Sequence, residues 1–96
     1  MAIRIDLYLK LARLVKRRTV AQEIVTVGAV RINGRKVKPS TVVRSGDTVD
    51  IAFPRRLLIV RVLVDDEALL KRKRGAPYAL LEDRQVEPET RLWEGE

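Results

Sequence analysis

The sequence predicts an α+β fold in which two N-terminal helices pack on a small antiparallel sheet, with a weakly structured acidic tail after it. Three observations support this prediction. Apolar residues recur at helical spacing as far as Gly28 and alternate with polar residues beyond it. Asn33 and Gly34 form the strongest short hairpin signal, because both residues tolerate positive φ. The 96 residues, 46% of them hydrophobic and 34% charged, suffice for about one small domain with a modest core.

Two helices are predicted, with a basic stretch between them. The first spans residues 4–15, and its buried face should consist of Leu7, Leu11, Leu14 and Val15. The second begins at Thr19, whose hydroxyl should bond the amide of Gln22 while Gln22 reaches back in a capping box. Gly28 suits the left-handed C-terminal cap of this helix. Its expected buried face comprises Val20, Ala21, Ile24 and Val25.

The strands follow from alternation and turn signals. Residues 30–32 and 35–37 should form a hairpin around Asn33 and Gly34. Residues 49–53 alternate apolar and polar side chains, which predicts a third strand. The β-branched run over 57–64 predicts a further strand.

Toward the C-terminus the pattern weakens. Residues 65–74 suit a short helix with acidic residues at its start and basic residues at its end. Residues 78–81 are expected to pack back on the domain, and residues 82–96 to form an acidic, mobile tail. Trp93 in this tail is either an anchor for a protein partner or a loosely docked ring.

Charge divides the chain into two regions. Overall, 20 Lys and Arg residues outnumber 13 Asp and Glu residues, which gives a net charge of +7. Residues 1–64 hold 14 of the basic residues and only 4 of the acidic ones, whereas residues 65–96 carry an excess of acids. We therefore expect a polyanion-binding domain over residues 1–64, and a partly mobile extension over residues 65–96 that acts as a spacer or a protein contact.

Composition excludes most catalytic sites. The chain has no His and no Cys, which removes the usual zinc ligands, disulfides, thiolate nucleophiles and imidazole bases. The run Asp65-Asp66-Glu67 is typical of a solvated segment rather than of a catalytic acid pair. We expect no enzyme activity, no metal and no cofactor. We also expect a cytoplasmic protein, because no apolar run is long enough to span a membrane and the N-terminus does not resemble a signal peptide.

The basic residues of the helices and the hairpin are the candidate binding residues. They are Arg4, Lys10, Arg13, Lys16, Arg17, Arg18, Arg31, Arg35, Lys36 and Lys38. If the hairpin folds beside the helices, these side chains converge on one face, where guanidinium groups can clamp phosphate oxygens. This density of basic residues points to a nucleic acid rather than to an ordinary solvated surface.

Three further polar residues belong to this candidate interface. Asp6 either pairs with Arg18 or a nearby base and orients it, or caps the first helix. Thr19 either donates to a phosphate or serves as a cap. Asn33 is explained by its turn, although an exposed Asn at that position also suits contact with RNA.

Several motifs occur in a fixed order: Arg4-Ile5-Asp6-x-x-Leu9, Arg17-Arg18-Thr19-x-Ala21, Ile24-x-x-x-Gly28-x-Val30-x-Ile32-Asn33-Gly34, Val37-x-Pro39-Ser40 and Gly46-Asp47-x-Val49. Together they resemble the S4 RNA-binding domain over about residues 4–53. That resemblance implies two helices on a short antiparallel sheet, with structured RNA held on the helix pair and the adjoining turn. Because the chain has few aromatic residues, we expect recognition by shape and phosphate placement rather than by a row of stacked bases.

A short free-standing chain of this kind is also similar to the bacterial ribosome-associated quality-control factors of the large subunit. That resemblance implies binding to large-subunit ribosomal RNA and to peptidyl-tRNA, and cooperation with RqcH in alanine tailing of stalled nascent chains. The resemblance also implies that Arg4, Arg17 and Arg18 contact phosphates of ribosomal RNA or tRNA, with Lys16 beside them. Two alternatives stay open: a heat-shock-type protein that recycles large subunits, and a protein-binding adaptor with a basic face. We expect a ribosome-associated protein that is a monomer when free.

Overall fold

Alternating apolar residues build a five-stranded sheet, and helices cover one of its faces. The structure, a computed structural model, describes residues 2–73 and 75–85. In chain order its elements are β1 (Ile3–Arg4), α1 (Ile5–Leu11), α2 (Arg18–Thr26), β2 (Val30–Ile32), β3 (Arg35–Lys36), β4 (Val42–Val43), β5 (Thr48–Phe53), β6 (Arg56–Val62), α3 (Glu67–Lys71) and β7 (Tyr78–Gln85). The antiparallel sheet has the order β3-β2-β5-β6-β7, and β1 pairs separately with β4. The predicted α+β fold is confirmed.

The core lies between the helices and one face of the sheet. Because side chains alternate along a strand, every second residue of the central strands points toward the helices. The fully buried residues of these strands include Val30, Val49, Ile51, Val60 and Val62. The helices contribute Ile5, Tyr8, Leu9, Ala21 and Val25. Since each large apolar side chain stabilises the fold by about 1.5–3 kcal/mol when buried, this core fixes the helix pair on the sheet.

Helix α1 is shorter than the helix predicted over residues 4–15. It ends at Leu11 because Arg13 adopts a left-handed conformation with φ 63°. The amide of Leu14 then bonds the carbonyl of Leu9 at 3.0 Å. This is the Schellman arrangement, which ends a helix and turns the chain away from its axis.

The buried faces of both helices differ in part from the prediction. In α1, Tyr8 and Leu9 are fully buried, whereas Leu7 and Leu11, which were predicted to be buried, are only partly so, as is Leu14 in the loop after the helix. In α2, Ala21 and Val25 are buried as predicted, but Val20 is exposed. The spacing of apolar residues predicted two amphipathic helices. Which residues of each helix are buried depends also on where α1 ends and on how the two helices cross.

Helix α2 begins at Arg18 rather than at Thr19. Its N-cap residue is Arg17, and no side chain bonds the free amides at this end. The predicted capping box between Thr19 and Gln22 is therefore wrong. The side chain of Gln22 instead donates to Asp6 on the neighbouring helix.

Two predicted turns with positive φ are confirmed. Gly28 follows α2 with φ 87°, and the amide of Ala29 bonds the carbonyl of Ile24 at 2.9 Å. Asn33 and Gly34, with φ of 51° and 79°, form the turn between β2 and β3. Both turns require a backbone conformation with positive φ, which glycine and asparagine tolerate. The residue types alone were therefore enough to predict them.

Strand β7 is a feature that the sequence analysis did not predict. It pairs antiparallel with β6, so residues 82–85 belong to the sheet and the expected mobile tail is wrong over that range. Ile59 of β6 pairs with Glu82 and Val60 pairs with Leu80, so Leu81 is an extra residue in β7. This register shift interrupts the regular alternation along β7 that would have indicated a strand. The rest of the predicted tail, residues 86–96 with Trp93, lies outside the described residues.

The C-terminal extension is tied to the N-terminal domain. Asp66 caps α3 by accepting hydrogen bonds from two amides of its first turn. The short helix predicted within residues 65–74 is thus confirmed, although it is shorter. The hydroxyl of Tyr8 on α1 donates to the carbonyl of Pro77 at 2.7 Å. This bond and the pairing of β7 with β6 join the extension to the rest of the fold.

Candidate nucleic-acid interface

A fully buried carboxylate, Asp6, lies in the first turn of α1 beside α2. Its Oδ1 accepts hydrogen bonds from Arg4 Nε at 3.2 Å and from the amide of Leu7 at 2.7 Å. Its Oδ2 accepts from Arg4 Nη2 and from Gln22 Nε2, each at 3.0 Å. Arg18 Nε lies 3.4 Å from the same Oδ2, at ion-pair distance. We call the side chains of Arg4, Asp6, Arg18 and Gln22 the arginine cluster.

The pKa of Asp6 reports the balance within this cluster. Burial acts to raise the pKa of Asp6, because removal from water disfavours the charged carboxylate. Hydrogen bonds from Gln22, Arg4 and the Leu7 amide, together with the nearby Arg18 guanidinium, outweigh burial and hold the pKa of Asp6 below its ordinary value. Asp6 is therefore ionised at neutral pH and compensates one of the two guanidinium charges. The cluster keeps a net positive charge.

The two arginines keep donors for a ligand. A guanidinium carries several N–H donors in a rigid fork, and Arg4 uses only its Nε and one Nη2 donor on Asp6. The side chains of Arg4 and Arg18 are 46% and 40% exposed. Because Asp6 already orients them, they lose less conformational freedom when they bind an anion. This arrangement suits a clamp on phosphate oxygens.

Of the two roles left open for Asp6, the geometry matches pairing with Arg18 and Arg4, and the bond from the Leu7 amide also satisfies one free amide in the first turn of α1. The N-cap residue of α1 is Arg4, and no side-chain cap bond is present there. Gln22 is the one member of the cluster that the sequence analysis missed as an interface residue. Its side-chain amide suits a capping box as well as a contact between helices, so residue type alone did not distinguish the two.

Other predicted basic residues extend the cluster along the helices. Lys10 is exposed on α1, four positions beyond Asp6 and therefore on the same side of the helix. Lys16 and Arg17 are exposed in the loop directly before α2. Arg13 is exposed where α1 ends. These residues continue the positive charge from the cluster into the loop between the helices.

A turn over residues 38–41 brings Lys38 to the cluster. The amide of Ile5 donates to the carbonyl of Thr41 at 2.7 Å, and the amide of Asp6 donates to the carbonyl of Pro39 at 3.3 Å. This turn therefore covers the first turn of α1. The exposed Lys38 begins the turn, so it lies in the same region of the surface as the cluster.

The hairpin divides its basic residues between two faces. Arg31 lies between two core-facing residues of β2, so it points to the sheet face away from the helices, where it faces Asp50. Lys36 is paired with Arg31 and shares that face, whereas Arg35 is paired with the core-facing Ile32. The expected convergence on the helix face is therefore wrong for Arg31 and Lys36. Strand alternation is the physical reason.

Thr19 and Asn33 have different environments. Thr19 is exposed in the first turn of α2 and makes no cap bond, which leaves its hydroxyl accessible to a ligand. The Oδ1 of Asn33 accepts from the amide of Thr48 at 2.9 Å, and its Nδ2 donates to Asp47 Oδ1 at 3.2 Å. The side chain of Asn33 thus braces the hairpin turn against the start of β5.

This chain is similar in sequence to known proteins. The family model of the S4 domain matches residues 3–49, which contain the arginine cluster and the hairpin. The RQC P-site tRNA stabilizing factor of Streptococcus pneumoniae is 38% identical over 85 residues, which cover 88% of this chain and 97% of that protein. The protein of the same name from Bacillus subtilis is 33% identical over 84 residues, with coverage of 88% and 98%.

A solved structure agrees with the fold. Heat Shock Protein 15 of Vibrio cholerae, which was solved as a trimer, is similar with a TM-score of 0.67 and 28% identity. The match covers 83% of this chain and 82% of that chain. The resemblance drawn from the sequence motifs is confirmed by the family model and by these relatives. The chain carries an S4 domain and belongs to the family of the RQC P-site tRNA stabilizing factors.

Proposed function

We propose that this protein is a non-catalytic RNA-binding factor that acts on the large ribosomal subunit and peptidyl-tRNA in ribosome-associated quality control. The arginine cluster carries the proposal, because one buried carboxylate holds two half-exposed guanidinium groups where α1 meets α2. The cluster lies within the matched S4 domain, and the relatives are named as P-site tRNA stabilizing factors.

In this function the helix pair binds phosphates of folded RNA. Arg4 and Arg18 clamp phosphate oxygens, and the exposed cations along the helices extend the contact: Lys10, Arg13, Lys16 and Arg17. Double-stranded RNA is recognised mainly by its shape and its backbone, which suits a preformed set of cations. The chemistry is that of binding and orientation, with no bond made or broken.

The finer partners follow from this function. The RNA ligands are large-subunit ribosomal RNA and peptidyl-tRNA, and RqcH is the candidate protein partner. Residues 1–64 form the RNA-binding domain, and residues 65–96 form an extension that acts as a spacer or a protein contact. The protein acts in the cytoplasm on ribosomal particles. Over the ranges 2–73 and 75–85, no helix is long and apolar enough to cross a membrane.

The similarity to Heat Shock Protein 15 favours a second candidate, a heat-shock-type factor that recycles large subunits. Both functions place the protein on large subunits that carry a stranded nascent chain. They differ in alanine tailing, because only the quality-control function places RqcH on the same particle. Detection of RqcH in the bound fraction therefore separates the two.

Sedimentation of the tagged full-length protein from a cell lysate through a sucrose gradient tests the proposal. We expect the protein to sediment with large subunits that carry peptidyl-tRNA, rather than with whole ribosomes. Treatment with RNase should release it, because its contacts are to RNA. A partner retained after RNase treatment would instead indicate a protein-binding adaptor. Migration at the top of the gradient would contradict the ribosomal function.

Two arginine variants provide a matched comparison in this gradient. Arg18→Ala removes a member of the arginine cluster. Arg61→Ala removes an exposed arginine of β6 that lies between two core-facing residues, on the sheet face away from the helices. We expect only Arg18→Ala to shift the protein toward the top of the gradient. Equal shifts for both variants would indicate that overall charge, rather than the cluster, controls binding.

A further inference from the structure

A second cationic feature lies where the loop after α1 meets the turn between β5 and β6. These segments enclose a groove of about 520 Å³. Leu14, Phe53 and Tyr78 line it, and all three are partly buried and pack against the core. Its floor is therefore apolar and fixed in position. We call this cavity the aromatic groove.

Three arginines line the same groove: Arg13, Arg55 and Arg56. All three are exposed. Asp83 holds Arg56 by accepting from its Nε and Nη2, each at 2.8 Å. Within residues 2–73 and 75–85, no carboxylate forms an ion pair with Arg13 or Arg55. Among the described residues, the groove thus combines an apolar floor with two rim arginines, Arg13 and Arg55, that no carboxylate pairs.

Arg13 occupies a backbone position that glycine adopts with less strain. Its φ of 63° lies in the left-handed region, at the C-terminal end of α1. The chain nevertheless places a long cationic side chain there, at the rim of the groove.

We propose that the aromatic groove binds one unpaired nucleotide of an RNA, with its base against Phe53 or Tyr78 and its phosphates at Arg13 and Arg55. This inference rests on the proposed function, because it adds a second contact to an RNA already held at the arginine cluster. The groove volume lies within the range of about 300–1,000 Å³ that is typical of small-ligand sites. Aromatic rings stack on any base, and guanidinium groups bind phosphates.

One RNA can reach both sites. Arg4 precedes α1 and Arg13 follows it, so the two are separated by the length of a helix of 7 residues, which is about 10 Å. Neighbouring nucleotides of a strand rise by about 3.4 Å, so a few nucleotides span this interval. This continuity with the RNA-binding surface favours a nucleotide over an acidic peptide as the occupant.

Two RNA hairpins test the inference by fluorescence anisotropy with the full-length protein; their identical stems are closed by a polyethylene glycol linker instead of a nucleotide loop, so that only the open end can carry unpaired nucleotides. One hairpin is blunt at that end, and the other has two unpaired nucleotides on each strand there. We expect the hairpin with unpaired ends to bind roughly 10-fold more tightly, because each stacked base strengthens binding. Equal affinities of the wild-type protein for the two hairpins would overturn the inference.

Variants of the groove locate this preference. Arg55→Ala and Phe53→Leu should each remove the preference and leave the affinity for the blunt hairpin unchanged. Arg61→Ala removes an equal charge from the other sheet face and should keep the preference. Because Phe53 packs against the core, thermal melting monitors that variant, while the exposed Arg55 gives an independent result. The groove would be excluded as the nucleotide site if Arg55→Ala still preferred the hairpin with unpaired ends. Loss of that preference in Arg61→Ala would exclude it as well.

Failure of the proposed function gives a different pattern. In that case the blunt hairpin does not bind, and Arg18→Ala changes nothing. A synthetic peptide with the sequence of residues 86–96, in which acidic residues surround Trp93, is the probe for a peptide occupant. Binding of this peptide that depends on Arg55, together with equal affinities for the two hairpins, would identify a peptide site and exclude the nucleotide.

Discussion

Asp6 explains how an acidic residue serves a surface that binds polyanions. A lone carboxylate on such a surface should repel RNA. Asp6, however, is fully buried, and both of its oxygens accept hydrogen bonds from protein groups. Its charge acts on Arg4 and Arg18, which lie between it and the solvent. The carboxylate therefore sets the positions of the groups that contact RNA.

Asp6→Asn should lower the free energy of unfolding by about 1–3 kcal/mol at neutral pH, because the amide cannot accept from all of its cationic partners. It should also weaken RNA binding, because Arg4 and Arg18 lose their orientation. Urea unfolding and anisotropy with a hairpin RNA measure the two effects. Tighter RNA binding by the variant would show that Asp6 acts only as a repelling charge.

The stability difference between wild type and Asp6→Asn should depend on pH. The pKa of Asp6 is lowered in the folded protein, so its stabilising effect is present above the unfolded-state pKa of about 3.9. That effect is lost as the pH falls through the lower, folded-state pKa. Urea unfolding between pH 7 and pH 3 should show the difference shrinking only at the acidic end. A constant difference throughout would contradict the lowered pKa.

Arg18→Ala should weaken RNA binding by about 1–3 kcal/mol, because charge-assisted hydrogen bonds to phosphate are lost. Its side chain is 40% exposed and its Nε lies 3.4 Å from Asp6, so the melting temperature should change little. Anisotropy and thermal melting measure the two quantities on the same preparation. Parallel losses in both would assign Arg18 a structural role.

At this scale, the sequence was informative about local chemistry and less so about tertiary partners. The conformations of Gly28 and Asn33 follow from the residue types themselves. The pairing of Asp6 with Arg18 was one of two alternatives, since it requires two helices to meet. The bond from Gln22 to Asp6 depends on the same crossing and was assigned to a cap instead. Contacts between elements therefore needed the structure.

The helices α1 and α3 end in the same unusual way. Arg13 after α1 and Lys73 after α3 both adopt left-handed conformations, with φ of 63° and 56°. Helix α2 ends with Gly28 in that conformation. In the described part of the chain, two of the three helices thus place a basic residue where glycine is the common choice.

Arg13→Gly should raise the free energy of unfolding by about 0.5–1 kcal/mol, because glycine adopts the left-handed conformation without strain. The same change should weaken RNA binding, because a cation between the helix pair and the aromatic groove is lost. Urea unfolding and anisotropy measure the two effects. Lys73→Gly is the matched control for backbone strain, since Lys73 has the same left-handed conformation and should gain stability in the same way. Loss of stability in Arg13→Gly would show that its side chain supports the fold.

Among the elements, those with regular periodicity were predicted and the irregular ones were not. The strands of the hairpin, β5 and β6 follow alternation and turn signals. The length of α1 was not predicted, because a residue in the left-handed conformation, Arg13, ends this helix early. Strand β7 was not predicted, because a register shift in its pairing with β6 interrupts its alternation. The direction of Arg31 likewise depends on which neighbours in β2 face the core.

Over the whole molecule, charge is divided between faces as well as between ends. The helix pair, the loop between the helices and the turn over residues 38–41 carry most of the cations proposed to bind RNA. Arg31 and Lys36 lie on the other face of the sheet, where Asp50 is close to Arg31. The charge count alone predicted the class of ligand, but the fold determines how many cations one RNA can touch.

If one RNA contacts about six phosphate-binding cations, its affinity should fall by about three orders of magnitude between 50 and 200 mM salt. Anisotropy with a hairpin RNA across this salt range measures the slope. Arg18→Ala should reduce the slope by about one phosphate contact, whereas Lys36→Ala should leave it unchanged. A slope near zero would contradict an electrostatic interface.

The hydrogen bond between Tyr8 and Pro77 joins residues that lie 69 positions apart in the chain. During synthesis at about 5–20 residues per second, roughly 3–14 s pass between the appearance of its two partners. In that interval α1 lacks both this bond and the sheet edge formed by β7. The helix that begins the RNA-binding surface is thus among the first segments made and among the last to reach its final packing.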